Sequence, residues 1–299
     1  MKPRVAILLG TFDRYERLAV WTRSQIERQW PGHPPVYFSG LSGGGGDRLP
    51  LDCEPGDWMG VTLGAAEDLS GRGFTHAYLV LDDHPPLGRC DGIFLGERLP
   101  ALAQELGAAH VSLLGYGQHR RVEGEILGRK FHSLERLDAG YRWKFSLHPG
   151  LWNLDDLRFL LGERMKAYAP GKRTPWNFEK HRDEAGSPVA ARFESRCFRI
   201  CGCRNDRASA PWLKPLAAGL RFAADLEMFC GRLAGGMPAR QRIEAKRLWV
   251  FGYYGGPYPI FWSGCLRQGK RHADFEKWLS VFGPHDLESS WRKLGAVAQ

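Results

Sequence analysis

Ala77-Tyr78-Leu79-Val80-Leu81-Asp82-Asp83-His84 runs five apolar residues straight into two acids and a histidine. A short apolar run closed by a polar turn predicts a strand buried on both faces, with the acids at its carboxyl end. The neighbouring segments support the same reading. Asp57 can cap a helix over 58–69, which Gly71-Arg72-Gly73 stops. Val5 to Leu9 is another apolar run, ended by Gly10; over 14–30, Leu18, Trp21, Ile26 and Trp30 then recur at helical spacings. Pro34-Pro35 precedes a third run, Val36-Tyr37-Phe38, and Ser42-Gly43-Gly44-Gly45-Gly46-Asp47 reads as a flexible loop. Past Pro86, a helix around 99–106 and a strand over 109–114 continue the alternation. Such alternation predicts an α/β fold with a mostly parallel, Rossmann-like central sheet flanked by helices. The second half is less regular: 154–168 and 216–233 read as helices, and 191–201 and 248–254 as strands. No linker divides the chain, so one domain over 1–299 with a C-terminal elaboration is the simplest organisation.

The 299 residues are 43% hydrophobic and 12% aromatic, ample for a sizeable core. No apolar stretch approaches the ~20 residues that cross a bilayer, and Met1-Lys2-Pro3-Arg4 opens no signal-peptide pattern. A cytoplasmic protein is expected. Seven scattered cysteines read as reduced thiols. Cys197, Cys201 and Cys203 lack the second ligand pair of a structural zinc site. Forty-two Lys and Arg against thirty-three Asp and Glu give a net charge of +9, which favours anionic partners. The basic residues are dispersed, in short clusters such as His119-Arg120-Arg121 and Lys270-Arg271-His272, and no nucleic-acid module is present. A small anionic ligand, or peripheral contact with the anionic inner face of the cell membrane, fits better than nucleic acid.

Open α/β sheets bind ligands at the carboxyl edge of their strands. Asp82 and Asp83 there suit Mg²⁺ or Mn²⁺ shared with a diphosphate, because hard cations prefer oxygen ligands. Several chemistries are excluded by missing patterns. The glycine run Gly43 to Gly46 is followed by Asp47-Arg48, not by the Lys-Ser/Thr of a P-loop. The first strand is followed by Gly10-Thr11-Phe12-Asp13-Arg14 in place of a dinucleotide-binding glycine motif.

Three motifs follow one another in order: the acidic turn Asp82-Asp83-His84, the segment Ser146-Leu147-His148-Pro149-Gly150-Leu151-Trp152, and Pro175-Trp176-Asn177-Phe178-Glu179. This order resembles a group of bacterial glycosyltransferases with the GT-A fold, over roughly residues 4–185. The resemblance implies a nucleotide-sugar-binding half over about 1–115, and an acceptor-binding half with the elaboration over about 116–299. It implies transfer of a hexosyl group from a nucleoside-diphosphate sugar to a glycan, lipid-linked or small-molecule hydroxyl, in polysaccharide biosynthesis. Asp82, Asp83 and His84 stand where the family has its DxD motif, with Asp83 and His84 as ligands of a divalent Mn²⁺ or Mg²⁺. Histidine in the third place leaves three alternatives: Mn²⁺ with an imidazole ligand, Asp83 alone as ligand, or no metal. Glu179 matches the general base of inverting members. Thr11, Asp13, Asp57 and Trp58 match stretches that touch the nucleotide. Lys270 can meet the diphosphate as charge develops, and His148, Trp152 and Trp176 can form an acceptor platform. Two other classes stay open: a sugar nucleotidyltransferase, and a catalytically silent module that binds glycans or anionic ligands.

Overall fold

The computed structural model describes residues 2–50, 52–54, 56–114, 133–138, 140–141, 143–201, 253–254 and 256–295. The helix read over 216–233, most of the strand over 248–254, the cluster at 119–121 and Cys203 lie outside the described residues.

Seven strands form the main sheet: β1 (Val5–Gly10), β2 (Val36–Ser39), β3 (His76–Leu81), β4 (His110–Ser112), β5 (Ser133–Arg136), β6 (Gly150–Asn153) and β7 (Cys197–Cys201), in the order β2-β1-β3-β6-β4-β7-β5. β1 pairs in parallel with β2 and β3, and β4 with β7, while β6 and β5 run antiparallel to their neighbours. The fold is therefore α/β with a mixed, mostly parallel sheet.

The apolar runs of β1 and β3 are continuous because both faces are covered. Ile7, Leu9, Tyr78 and Val80 point into one core with Ala19 and Ile26 of α1 (Glu16–Gln29), with Trp30 just after it, and with α3 (Leu99–Glu105). Ala6, Leu8, Ala77 and Leu79 point into the other, against α2 (Trp58–Gly71) and α4 (Leu154–Ala167). Period-two alternation thus serves two cores from one strand. Both long second-face helices begin on side-chain caps. Asp57 accepts from the Gly60 N–H, and Asn153 accepts from the N–H groups of Asp155 and Asp156. Two short helices, α5 (Pro175–Lys180) and α6 (Pro188–Phe193), complete that face.

The strand expected over 191–201 begins only at Cys197. Residues 188–193 are helical because the Ser187 hydroxyl caps the Ala190 N–H and Pro188 takes the first helical position, where no N–H is needed. The strand over 109–114 is likewise shorter, covering 110–112.

Two pairs of two-residue strands and two helices form the C-terminal part: β8 (Tyr253–Tyr254) with β9 (Ile260–Phe261), β10 (Leu266–Arg267) with β11 (Lys270–Arg271), then α7 (Ala273–Phe282) and α8 (His285–Leu294). Phe275, Trp278, Leu287 and Trp291 close a third core on the outer side of α1 with Leu18 and Trp21. Trp21 and Trp291 meet at 5.1 Å, and Trp21 Nε1 donates to Ser290 Oγ. Among the described residues no helix is long and apolar enough to cross a membrane.

Gly40 fixes how β2 leaves the sheet. Its φ is +88°, and a Cβ there would stand 2.2 Å from the Thr11 carbonyl oxygen. Gly40→Ala is therefore expected to cost roughly 1–3 kcal/mol, read as a lower urea midpoint with an unchanged slope. A midpoint equal to wild type would contradict the packing described.

Candidate active site at the carboxyl edge of the sheet

β1 and β3 end together, with Gly10 opposite Leu81, so Thr11 and the Asp82-Asp83-His84 turn emerge side by side. The Thr11 hydroxyl donates to Asp82 Oδ2 at 2.6 Å, and the Thr22 hydroxyl of α1 donates to the Asp82 carbonyl. Thr11 is only 3% exposed. Burial, joined by the Asp83 charge, pushes the Asp82 carboxyl up to about 7, against the opposing hydrogen bond from Thr11. Asp83 turns the other way. His84 Nδ1 donates to Asp83 Oδ1 at 2.7 Å. Burial disfavours charge on His84, but the Asp83 carboxylate prevails and the histidine titrates above its usual range.

β6 delivers the second group of residues. Being antiparallel, it starts at the edge where β3 and β4 finish, with Gly150 opposite Leu79 and Ser112. Residues 146–149 therefore arrive beside the acidic turn, and the rings of His84 and His148 meet edge to face at 5.3 Å. Burial, with the neighbouring His84, pushes His148 down to about 3, so the ring is neutral near pH 7.

Glu179 completes the group. Its Oε1 accepts from the Leu147 N–H at 3.1 Å and from the Ser146 hydroxyl at 3.0 Å. It lies in the last turn of α5, so an interaction with a helix N-terminus does not account for it. The helix that carries it is held from below. Phe178 is fully buried against Trp58 (5.3 Å) and Trp152 (6.3 Å). Arg164, itself buried, donates to the Phe178 carbonyl and to Asp183. Burial lowers its guanidinium to about 10, still charged near neutrality.

The other expected site residues take varied positions. Asp57 Oδ1 caps α2 and its Oδ2 receives Arg173 Nη1 at 2.9 Å, which ties the segment before α5 to the start of α2. Trp58 is 2% exposed and Trp152 fully buried, stacked on His110 at 3.9 Å. Trp152 offers no face to an acceptor, which corrects the expectation of a platform there. Both tryptophans form the aromatic bed under Glu179. Trp176, by contrast, is 65% exposed, with Lys180 over its ring. Asp13 is exposed and accepts from the Ser42 N–H, closing the loop between β1 and the glycine run. Lys270 is exposed in the β10–β11 hairpin, whose Gly269 lies against the Tyr15 hydroxyl.

Sequence reasoning missed Ser146 and Trp262. The segment from Tyr258 crosses the acidic turn. The Cys265 N–H donates to the Asp83 carbonyl, the Tyr258 hydroxyl donates to the His84 carbonyl, and the Trp262 carbonyl receives His148 Nε2 at 2.8 Å. The Trp262 ring is 39% exposed and lies over His148 at 5.7 Å. No spacing rule links residue 262 to residue 148, so only the tertiary structure reveals the pair.

Asp83 and His84 bind each other through His84 Nδ1. The His84 Nε2 is buried without a hydrogen-bond partner, and among the described residues no group of three His, Cys, Asp or Glu could hold a metal. The donor set suits only a cation that brings oxygen ligands with its substrate.

The chain matches no protein-family model and no curated protein.

Asp82 holds its proton more tightly in the fold, at about 7, than an ordinary carboxyl does near ~4. The folded state thus binds more protons over that window, and the Asp82 contribution to stability fades as pH rises through it. In chelator-containing buffer, Asp82→Asn is expected to unfold at higher denaturant than wild type at about pH 8, and to lose that advantage toward about pH 4. Equal midpoints at the higher pH would contradict a desolvated Asp82.

Proposed function

We propose that this chain is a glycosyltransferase that moves a sugar from a nucleoside diphosphate to a hydroxyl acceptor, with Glu179 as general base. The observation that carries the reading is the fixing of Glu179 Oε1 by Leu147 and Ser146 at the start of β6, one ring contact from the acidic turn. Acids at the carboxyl edge of an α/β sheet suit a nucleotide donor. A carboxylate held nearby suits proton removal from an incoming hydroxyl.

In this reading the nucleoside diphosphate lies along the Asp82-Asp83 turn, with the buried Thr11 hydroxyl holding Asp82 in place from behind. A divalent cation accompanying it would take Asp83 from the protein and its other ligands from phosphate and water, and would neutralise charge on the leaving diphosphate. Glu179 Oε1 is committed to the protein, while Oε2 takes no hydrogen bond among the described residues. Oε2 receives the acceptor's proton as the acceptor oxygen attacks the anomeric carbon from the face opposite the diphosphate. A single displacement inverts the configuration. The exposed rings of Trp176 and Trp262 favour an acceptor that carries a sugar, because aromatic faces stack on such rings. Lys270 and the surplus of basic residues favour the anionic donor.

Glu179→Gln keeps size and hydrogen bonding but cannot take the proton. Its turnover is expected to fall by roughly 10²–10⁴, with nucleotide affinity within a few-fold of wild type by calorimetry. Retained configuration in the product, or turnover within a few-fold of wild type, would overturn the assignment.

A further inference from the structure

The Ser146 hydroxyl lies between two acceptors with only one hydrogen to give. Its Oγ is 2.6 Å from His148 Nδ1 and 3.0 Å from Glu179 Oε1. The tautomer of His148 is set from its far side. The Trp262 carbonyl can only accept, so Nε2 carries the hydrogen at 2.8 Å. A neutral ring then presents a bare Nδ1 to the serine. When Glu179 is ionised, Ser146 donates to its Oε1, and Nδ1 and Oγ face each other with no hydrogen between them. When Glu179 has been protonated on Oε2, Oε1 becomes a neutral carbonyl that keeps the Leu147 N–H. The serine hydrogen is then free to turn to Nδ1, the better acceptor, and the deficit at the 2.6 Å contact is removed.

We propose that Ser146 and His148 are positioning residues that form a two-state hydrogen-bond switch behind Glu179: the serine hydrogen holds the ionised base in place and turns to His148 as the base takes the acceptor's proton. The proposal rests on the transferase reading and adds residues to it. The bonds balance without a co-reactant. The acceptor O–H breaks and its proton goes to Oε2. The acceptor oxygen bonds to the anomeric carbon, and the bond from that carbon to the diphosphate breaks with its electron pair leaving on phosphate. The serine hydrogen changes partner but not owner. The Trp262 carbonyl, on the C-terminal segment, thus sets the state of a base on α5.

The test is a double-variant cycle on transfer and on nucleotide binding. Ser146→Ala removes the hydrogen, Ser146→Thr restores a hydroxyl, and His148→Phe keeps a ring against Trp262 without either nitrogen. Misplacement of a reacting group by a fraction of its reach can cost on the order of 10²-fold. Ser146→Ala and His148→Phe are each expected to lower kcat by about that factor, with donor KM and nucleotide Kd within two-fold. The double variant should be no slower than the worse single, and Ser146→Thr should recover most of the loss. Thermal unfolding of each variant separates a lost fold from a lost switch, and the Thr variant carries the test if the Ala variant does not fold. Losses that multiply in the double variant, a raised KM at constant kcat, or a Ser146→Ala enzyme as fast as wild type would overturn the switch alone. A wild-type chain that binds no nucleotide and transfers no sugar would overturn the functional reading and the switch with it.

Discussion

One antiparallel strand decides what this sheet edge can do. In a purely parallel sheet, a carboxyl edge receives only residues that follow strands. β6 lies between β3 and β4 in the opposite direction, so it contributes the residues that precede it. Ser146, Leu147 and His148 thereby arrive at the edge where Thr11, Asp82 and Asp83 follow β1 and β3, and the His148 ring meets that of His84. Glu179 has no strand of its own at this edge; it is drawn there by hydrogen bonds to Ser146 and Leu147. If β6 were removed or reversed, the acid turn and the candidate base would have no common anchor.

Around that edge, polar groups are held at a cost that only part of the fold offsets. Asp82 is desolvated next to a second acid, an arrangement that opposes ionisation and lowers stability above the carboxylate range. A desolvated acid held beside a second acid, with a threonine hydroxyl as its partner, is poor structural material and a common mark of a functional site. The buried charges away from the edge are paired. Asp156 receives Arg192 and Arg196, and Asp183 receives Arg164. The contrast separates residues that hold the fold from those whose charge is left to act. The aromatic bed of Trp58, Phe145, Trp152 and Phe178 then makes the short helix α5 rigid enough to aim Glu179.

Much of the sheet was legible because its signals are local. Five-residue apolar runs closed by Gly10 or by Asp82-Asp83 name β1 and β3, and the capping role of Asp57 was readable from its place before the apolar helix. β6 was not legible. Its four residues, Gly150–Asn153, carry too little pattern to distinguish a strand from a loop before a helix. Its direction depends on pairing with β3 and β4, whose partner residues lie 71–77 and 38–42 positions earlier. The helix over 188–193 was readable from Ser187-Pro188 but was absorbed into the apolar run that follows. Within the site, the types of residue were evident and their roles were not. Asp57, Trp58 and Trp152 resemble ligand-contacting residues in sequence, yet each supports Glu179 from behind. Ser146 opens the second motif, but nothing local in sequence ties it to Glu179 or Trp262 to His148.

In the proposed function, the acidic turn at this edge holds a nucleoside diphosphate. Titration calorimetry of the intact chain with nucleoside diphosphates, with and without Mn²⁺, against a panel of neutral and anionic oligosaccharides, tests it most directly. Heat of binding is expected for at least one nucleoside diphosphate, and its loss in Asp83→Ala with the fold retained. Binding to oligosaccharides alone, or nucleotide binding that Asp83→Ala leaves unchanged, would contradict it.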